Sequence, residues 1–179
     1  NGILLITVTG LAKLTGKNFP VFAILLILGL GHLTWKQIPI YKNDFALWSD
    51  TVQKNSNAWM AHYNLGNIFI AQHKHEEAIA HYQHAIRIKP DFSLAPYNLG
   101  NALFAQKKTR EAIVQYQTAI RIKQDFVNAY NNLGIALLTE GKIEESIIQF
   151  RKAIKLQPDY TDARNNLEIA LTTNRNNGP

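Results

Sequence analysis

The sequence predicts an all-α solenoid of stacked helical hairpins, preceded by a helix that crosses a membrane. Three observations carry this expectation. Leu65-Gly66, Leu99-Gly100 and Leu133-Gly134 recur at a strict spacing of 34 residues, and Leu167 follows after another 34. The same offset joins Ala61, Ala95, Ala129 and Ala163, and it joins Tyr82, Tyr116 and Phe150. Residues 19–35 (FPVFAILLILGLGHLTW) carry no formal charge and one histidine.

The apolar run comes first in the chain. Seventeen helical residues span about 25 Å, slightly short of a hydrocarbon core of about 30 Å. The predicted span is therefore extended to about residues 17–40. Pro20 fits the first turn, and Trp35 followed by Lys36 fits the interface. An earlier run, residues 2–12, is too short to span alone and reads as the end of a preceding helix, with residues 13–18 as a loop. Alternatives for the longer run are a buried core helix or the apolar region of a signal peptide. The latter lacks a small-residue cleavage site after Leu33. Lys13 and Lys17 on one side balance Lys36 and Lys42 on the other, so charge leaves the orientation open. The chain starts at Asn1 rather than Met, which fits a fragment or a processed product.

The repeat register then divides the remainder. A half unit occupies 44–58, with Trp48 at the place of Tyr82 and Thr51 at that of Ala85. Full units follow at 59–92, 93–126 and 127–160, and a capping helix at 161–173. Residues 172–179 read as a frayed polar end. Glycine inside a helix costs about 1 kcal/mol relative to alanine, so Gly66, Gly100 and Gly134 imply a close approach by the second helix of each hairpin. The small residues Ala78, Ala112 and Ser146 are the expected partners in that approach. Glu168 stands at the glycine position after the last full unit, as expected of a terminal cap.

These residues resemble the tetratricopeptide repeat (TPR) family, whose period is 34. The resemblance covers about residues 44–174. It implies a TPR α-solenoid, a right-handed superhelix whose first helices line a concave groove that receives an extended peptide. Asn64, Asn98, Asn132 and Asn166 recur immediately before the signature leucine. A side-chain amide offers both a donor and an acceptor, so such a column suits the backbone of a bound peptide. It is similar to the asparagine ladder in the TPR region of O-GlcNAc transferases. Asn67 and Asn101 widen the polar strip, Ile135 interrupts it, and Tyr63 and Tyr97 add aromatic contact. Common repeat consensus is an equal explanation for the asparagines.

A second resemblance covers about residues 19–66. An apolar helix, a Trp-Lys juncture and the stretch from Tyr41 to Gly66 resemble the C-terminal part of polytopic protein O-mannosyltransferases. That family joins a membrane region to a TPR region in this way. It implies repeats on the periplasmic or lumenal side that present acceptor polypeptide. The catalytic residues of that family lie in membrane loops far upstream of this stretch, so none carries over. A third reading is a tethering factor for a membrane complex.

Other chemistry is constrained by composition. There is no cysteine, which removes disulfides, thiolate metal sites and cysteine nucleophiles. The net charge of +6 divides evenly: 5 Lys/Arg against 2 Asp/Glu through Ser56, and 14 against 11 beyond it. No basic stripe with interleaved aromatics is collected, so no nucleic-acid partner is expected. No Gly-rich phosphate loop, HExxH or GxSxG is present, and Glu76, Glu77, Glu111, Glu144 and Glu145 read as solvent-facing charges. The chain itself is expected to be no enzyme and to need no cofactor or metal. His62, His73, His75, His81 and His84 crowd the first unit. His81 and His84 are three apart on one helix face, which is compatible with metal ligation or pH sensing, but they read as solvated outward residues.

Overall fold

The computed structural model describes residues 43–177, and the predicted span at 17–40 lies outside them. The chain divides into two compact units, residues 1–47 and 48–179, and the repeats lie in the second. Eight helices and no strand are present among the described residues: α1 (Asp44–Lys54), α2 (Trp59–Ala71), α3 (His75–Ile88), α4 (Leu94–Ala105), α5 (Thr109–Ile122), α6 (Val127–Thr139), α7 (Ile143–Leu156) and α8 (Thr161–Asn177). None of them is long and apolar enough to cross a membrane.

Each full unit is one hairpin, and from α2 to α8 each helix packs on its sequence neighbours. This is the contact pattern of a quasi-one-dimensional fold. The turns inside the hairpins share one geometry. His73, Lys107 and Gly141 occupy the same register with positive φ, at 59°, 61° and 77°. The following N–H reaches back to the last turn of the first helix: Lys74 to Phe69, Lys108 to Leu103 and Lys142 to Leu137, each at 2.9 Å. Such left-handed caps satisfy carbonyls that the helix end leaves free. Only Gly141 adopts that conformation without a Cβ penalty.

The core repeats with the period. Ala61, Ala95, Ala129 and Ala163 are buried, as are Leu65, Leu99 and Leu133, and Tyr82, Tyr116 and Phe150 are almost wholly enclosed. The glycines do mark a close approach, but the partner differs from the expected small residue. A Cβ on Gly66, Gly100 or Gly134 would lie 2.5 to 2.7 Å from the ring of Tyr82, Tyr116 or Phe150. The aromatic ring, not Ala78, Ala112 or Ser146, fills the space that glycine leaves. Ser146 instead turns its hydroxyl to the Ile143 carbonyl at 2.7 Å.

The capping helix is longer than expected. It continues to Asn177, where the sequence reads as a frayed end from Thr172. No glycine or proline interrupts 161–177, and the Thr173 hydroxyl bonds the Ile169 carbonyl at 2.8 Å within the helix. Glu168 is exposed, in keeping with a helix that receives no partner at the glycine position.

Candidate peptide-binding face

The first helices α2, α4, α6 and α8 carry the asparagine column, and their side chains form a hydrogen-bond network between units. At the junction of the first two units, the Tyr82 hydroxyl donates to Asn67 Oδ1 at 2.8 Å. Asn98 Nδ2 donates to the same oxygen at 3.0 Å and to the Tyr63 hydroxyl at 3.2 Å. The next junction repeats the pattern. Tyr116 donates to Asn101 Oδ1 at 2.9 Å, and Asn132 Nδ2 donates to Asn101 Oδ1 at 2.9 Å and to the Tyr97 hydroxyl at 3.2 Å. Asn98 and Asn132 therefore each bind the preceding unit through two acceptors.

The third junction changes three positions together. Phe150 replaces the tyrosine, Ile135 replaces the acceptor asparagine, and Asn131 replaces Tyr97. Without a hydroxyl to satisfy, the acceptor is dispensable, and an apolar side chain takes its place. Asn166 Nδ2 now donates to Asn131 Oδ1 at 2.9 Å, and Asn131 Nδ2 reaches Asn132 Oδ1 at 3.3 Å. The amides of this junction keep their partners although the residues have changed. On the wall between α2 and α4, by contrast, His75 Nδ1 is buried with no partner among the described residues.

Burial pushes the hydroxyl pKa of Tyr82 upward, Tyr63 adds to the rise, and the bond with Asn98 opposes it. Tyr116 behaves alike, with burial first, then Tyr97, opposed by Asn132. Both hydroxyls thus remain protonated donors at physiological pH. The Tyr63 and Tyr97 rings are committed to packing as well. Tyr63 meets Phe92 edge-on at 5.0 Å and Tyr97 meets Phe126 at 4.8 Å.

The named residues therefore fall into separate roles. Asn98, Asn132 and Asn166 hold successive units together. Asn67 and Asn101 accept those bonds, which leaves their own N–H groups without a partner among the described residues. Asn64, at the head of the column, makes no hydrogen bond among those residues. Two adjoining cavities open on this face. One, of about 290 Å³, is lined by Asn101, Phe104, Ala105, Tyr116, Asn132 and Ile135. The other, of about 310 Å³, shares Asn101 and Ala105 and adds Asn67, Asn98, Ile70 and Tyr82 among its walls. Neither has a Lys, Arg, Asp or Glu in its lining. Sequence reasoning missed Phe104, Ala105, Ile70 and Ile135 as cavity walls, except that Ile135 appeared as a break in the polar strip. Their signal was available: all four lie on first helices, on the same face as the asparagines.

The architecture is that of a helical-repeat interaction module. Family models described as TPR repeat match residues 66–107 and 100–141, and one described as Tetratricopeptide repeat matches residues 127–160. The repeat region belongs to the tetratricopeptide repeat family. No curated protein matches the chain in sequence. Among solved structures, a crystal structure of MamA is similar with a TM-score of 0.71 and 21% identity, covering 73% of this chain and 77% of that one. The first TPR of Spaghetti (RPAP3), bound to the HSP90 peptide SRMEEVD, has a TM-score of 0.64 and 25% identity, covering 66% and 94%. The second TPR domain of human RPAP3, in complex with the HSP70 peptide SGPTIEEVD, has a TM-score of 0.60 and 26% identity, covering 62% and 92%. All three support the repeat fold. The O-mannosyltransferase resemblance gains no support from them, since the matched family models describe the repeats alone and begin at residue 66.

Proposed function

We propose that the chain captures an extended polypeptide along its first helices, seating uncharged side chains in the two adjoining cavities. The absence of Lys, Arg, Asp and Glu from the lining of both cavities carries this reading. Ile70, Phe104 and Ile135 offer apolar contact, and the unpartnered N–H groups of Asn67 and Asn101 suit peptide carbonyls. The two RPAP3 domains are bound to peptides ending in Glu-Glu-Val-Asp. The cavities here have no Lys or Arg to meet such acidic side chains, and His75 is the single imidazole in their lining, so an apolar segment is the better ligand.

The test is a peptide array in which neutral apolar segments compete with acidic ones. Ala105 is exposed at the junction of the cavities, so Ala105→Arg fills them without entering the core. Binding of neutral apolar peptides is expected to weaken about tenfold or more, about 1.4 kcal/mol, with an unchanged melting temperature. A preference for acidic peptides, or binding indifferent to Ala105→Arg, defeats the reading.

From the uncharged run at residues 19–35, we propose further that this capture takes place at a membrane. In this proposal, residues 17–40 span the bilayer and the repeats face the periplasm or lumen. In sealed vesicles prepared from cells, the repeats are expected to resist added protease until detergent is present. Recovery of the chain with soluble proteins after fractionation would end this part of the proposal.

A further inference from the structure

The least expected packing lies in the first full unit, among histidines that read as solvated. His62, on α2, is only 5% exposed, and His81, on α3, is half-buried. Their Nδ1 atoms lie 3.0 Å apart, and His62 Nε2 lies 3.1 Å from the Ser56 carbonyl. His84 stacks on His62 with ring centroids 4.8 Å apart and planes 9° from parallel. Phe69 stacks on His81 at 5.3 Å.

This geometry dictates where the protons are. A carbonyl only accepts, so His62 Nε2 carries a hydrogen. Neutral His62 then offers Nδ1 as an acceptor, and His81 Nδ1–H donates to it. One added proton on His81 preserves that bond but places a charge against a buried ring. A further proton on His62 sets two N–H groups against each other at the same short distance. The charged groups that act on the cluster are cationic, while Glu77, one turn before His81 on α3, is exposed. Arg87 lies beside His84 on α3, and Lys74 sits 5.9 Å over the Phe69 ring. Helix α4, packed on α3, has no charged residue, and on α1 Asp50 is closed onto Lys54 at 2.7 Å.

We propose that the His62–His81–His84 cluster is a proton-sensitive latch, which holds the α2–α3 hairpin closed while neutral and loosens it on protonation. The other units lack the device. The corresponding layer is Pro96, Gln115 and Thr118 in the second unit, and Tyr130, Gln149 and Lys152 in the third. In the third, Lys152 Nζ lies 5.5 Å over the Tyr130 ring, a permanent charge in place of a titrating one. His62 and His81 directly precede Tyr63 and Tyr82, so loosening here reaches the first inter-unit network.

The direction of the pH effect is determined. Burial, followed by His62 and His84, lowers the pKa of His81 from its ordinary 6.5. Burial, followed by Arg87 and His62, lowers that of His84. Below pH 6.5 the unfolded chain therefore binds more protons than the folded one. The stability of the hairpin is intact above pH 6.5 and is lost as pH falls through the depressed folded values.

Hydrogen exchange of the full chain, corrected for intrinsic rates, tests the latch. Between pH 7.5 and pH 5, amides of α2–α3 are expected to lose about tenfold in protection relative to those of α6–α7. The double variant His81→Gln/His84→Thr, which carries the residues of the second unit, is expected to be flat. An equal loss in α6–α7, or an undiminished loss in the variant, overturns the proposal. So does an imidazole titration of the unmutated chain by NMR that places His81 and His84 at or above 6.5.

Discussion

Gly100→Ala is expected to destabilise the repeats by about 1–3 kcal/mol, against the sign that helix propensity predicts. Alanine in a helix interior is favoured over glycine by about 1 kcal/mol. At Gly100, however, the new Cβ would stand 2.7 Å from Tyr116 Cε1. The Tyr116 ring is 2% exposed, and its hydroxyl is tied to Asn101, so it has nowhere to retreat. Overpacking of a tight core costs about 1–3 kcal/mol, and here it opposes the propensity gain. Thermal or urea unfolding measures the sum. In a Tyr116→Leu background the ring is gone, and the same glycine replacement is expected to be neutral or stabilising. The double-mutant cycle isolates the clash from the propensity. An increase in melting temperature for Gly100→Ala alone would show that the contact is slack.

The second large effect concerns the inter-unit network. Asn101→Ile alone removes the acceptor of both Tyr116 and Asn132, and leaving buried donors unpaired costs about 1–3 kcal/mol each. Tyr116→Phe alone removes one donor and is expected to cost about 1 kcal/mol. The triple replacement Tyr97→Asn, Asn101→Ile and Tyr116→Phe reproduces the third junction, where Asn131 accepts from Asn166 and the apolar Ile135 and Phe150 leave no hydroxyl to satisfy. It is expected to recover at least about 2 kcal/mol relative to the sum of the single changes, a coupling within the usual range for one network. Strict additivity in denaturant unfolding would mean that the three residues do not act as a unit.

This network also bears on the candidate face. An Asn98→Ala or Asn132→Ala change would weaken the junction between units and any peptide contact together. Ala105 separates the two effects, because it borders both cavities and takes no part in the hydrogen bonds.

Several features were legible before any coordinates. The period and the glycine register follow from offsets of 34, and the helices α2 to α7 recur at that spacing. This works because each unit touches only its neighbours, so one local solution is copied along the chain. The presence of a close contact at Gly66, Gly100 and Gly134 was also readable, since a helix tolerates glycine only for a reason.

What the sequence left open depends on how far one unit is displaced against the next. The ring that meets each glycine lies on the partner helix and depends on the angle between the two helices. The asparagine column looked like a row of free amides, because repetition alone does not say which face of a side chain is occupied. The pitch of the stack brings Asn98 to Tyr63 and Asn67, spending its donors, and leaves the N–H groups of Asn67 and Asn101 outward. The same holds for the histidines. Their crowding in one unit was plain from composition, but the helix pairing of α2 with α3 alone brings His62 to His81 and half-buries His81, which read as solvated, while His84 is exposed as expected. Sequence by itself determined the repeating element and its register. The tertiary structure decided which polar groups are spent on holding the units together and which are left without a bond inside the repeats, because that balance depends on distances of a few tenths of an ångström between residues about 34 apart.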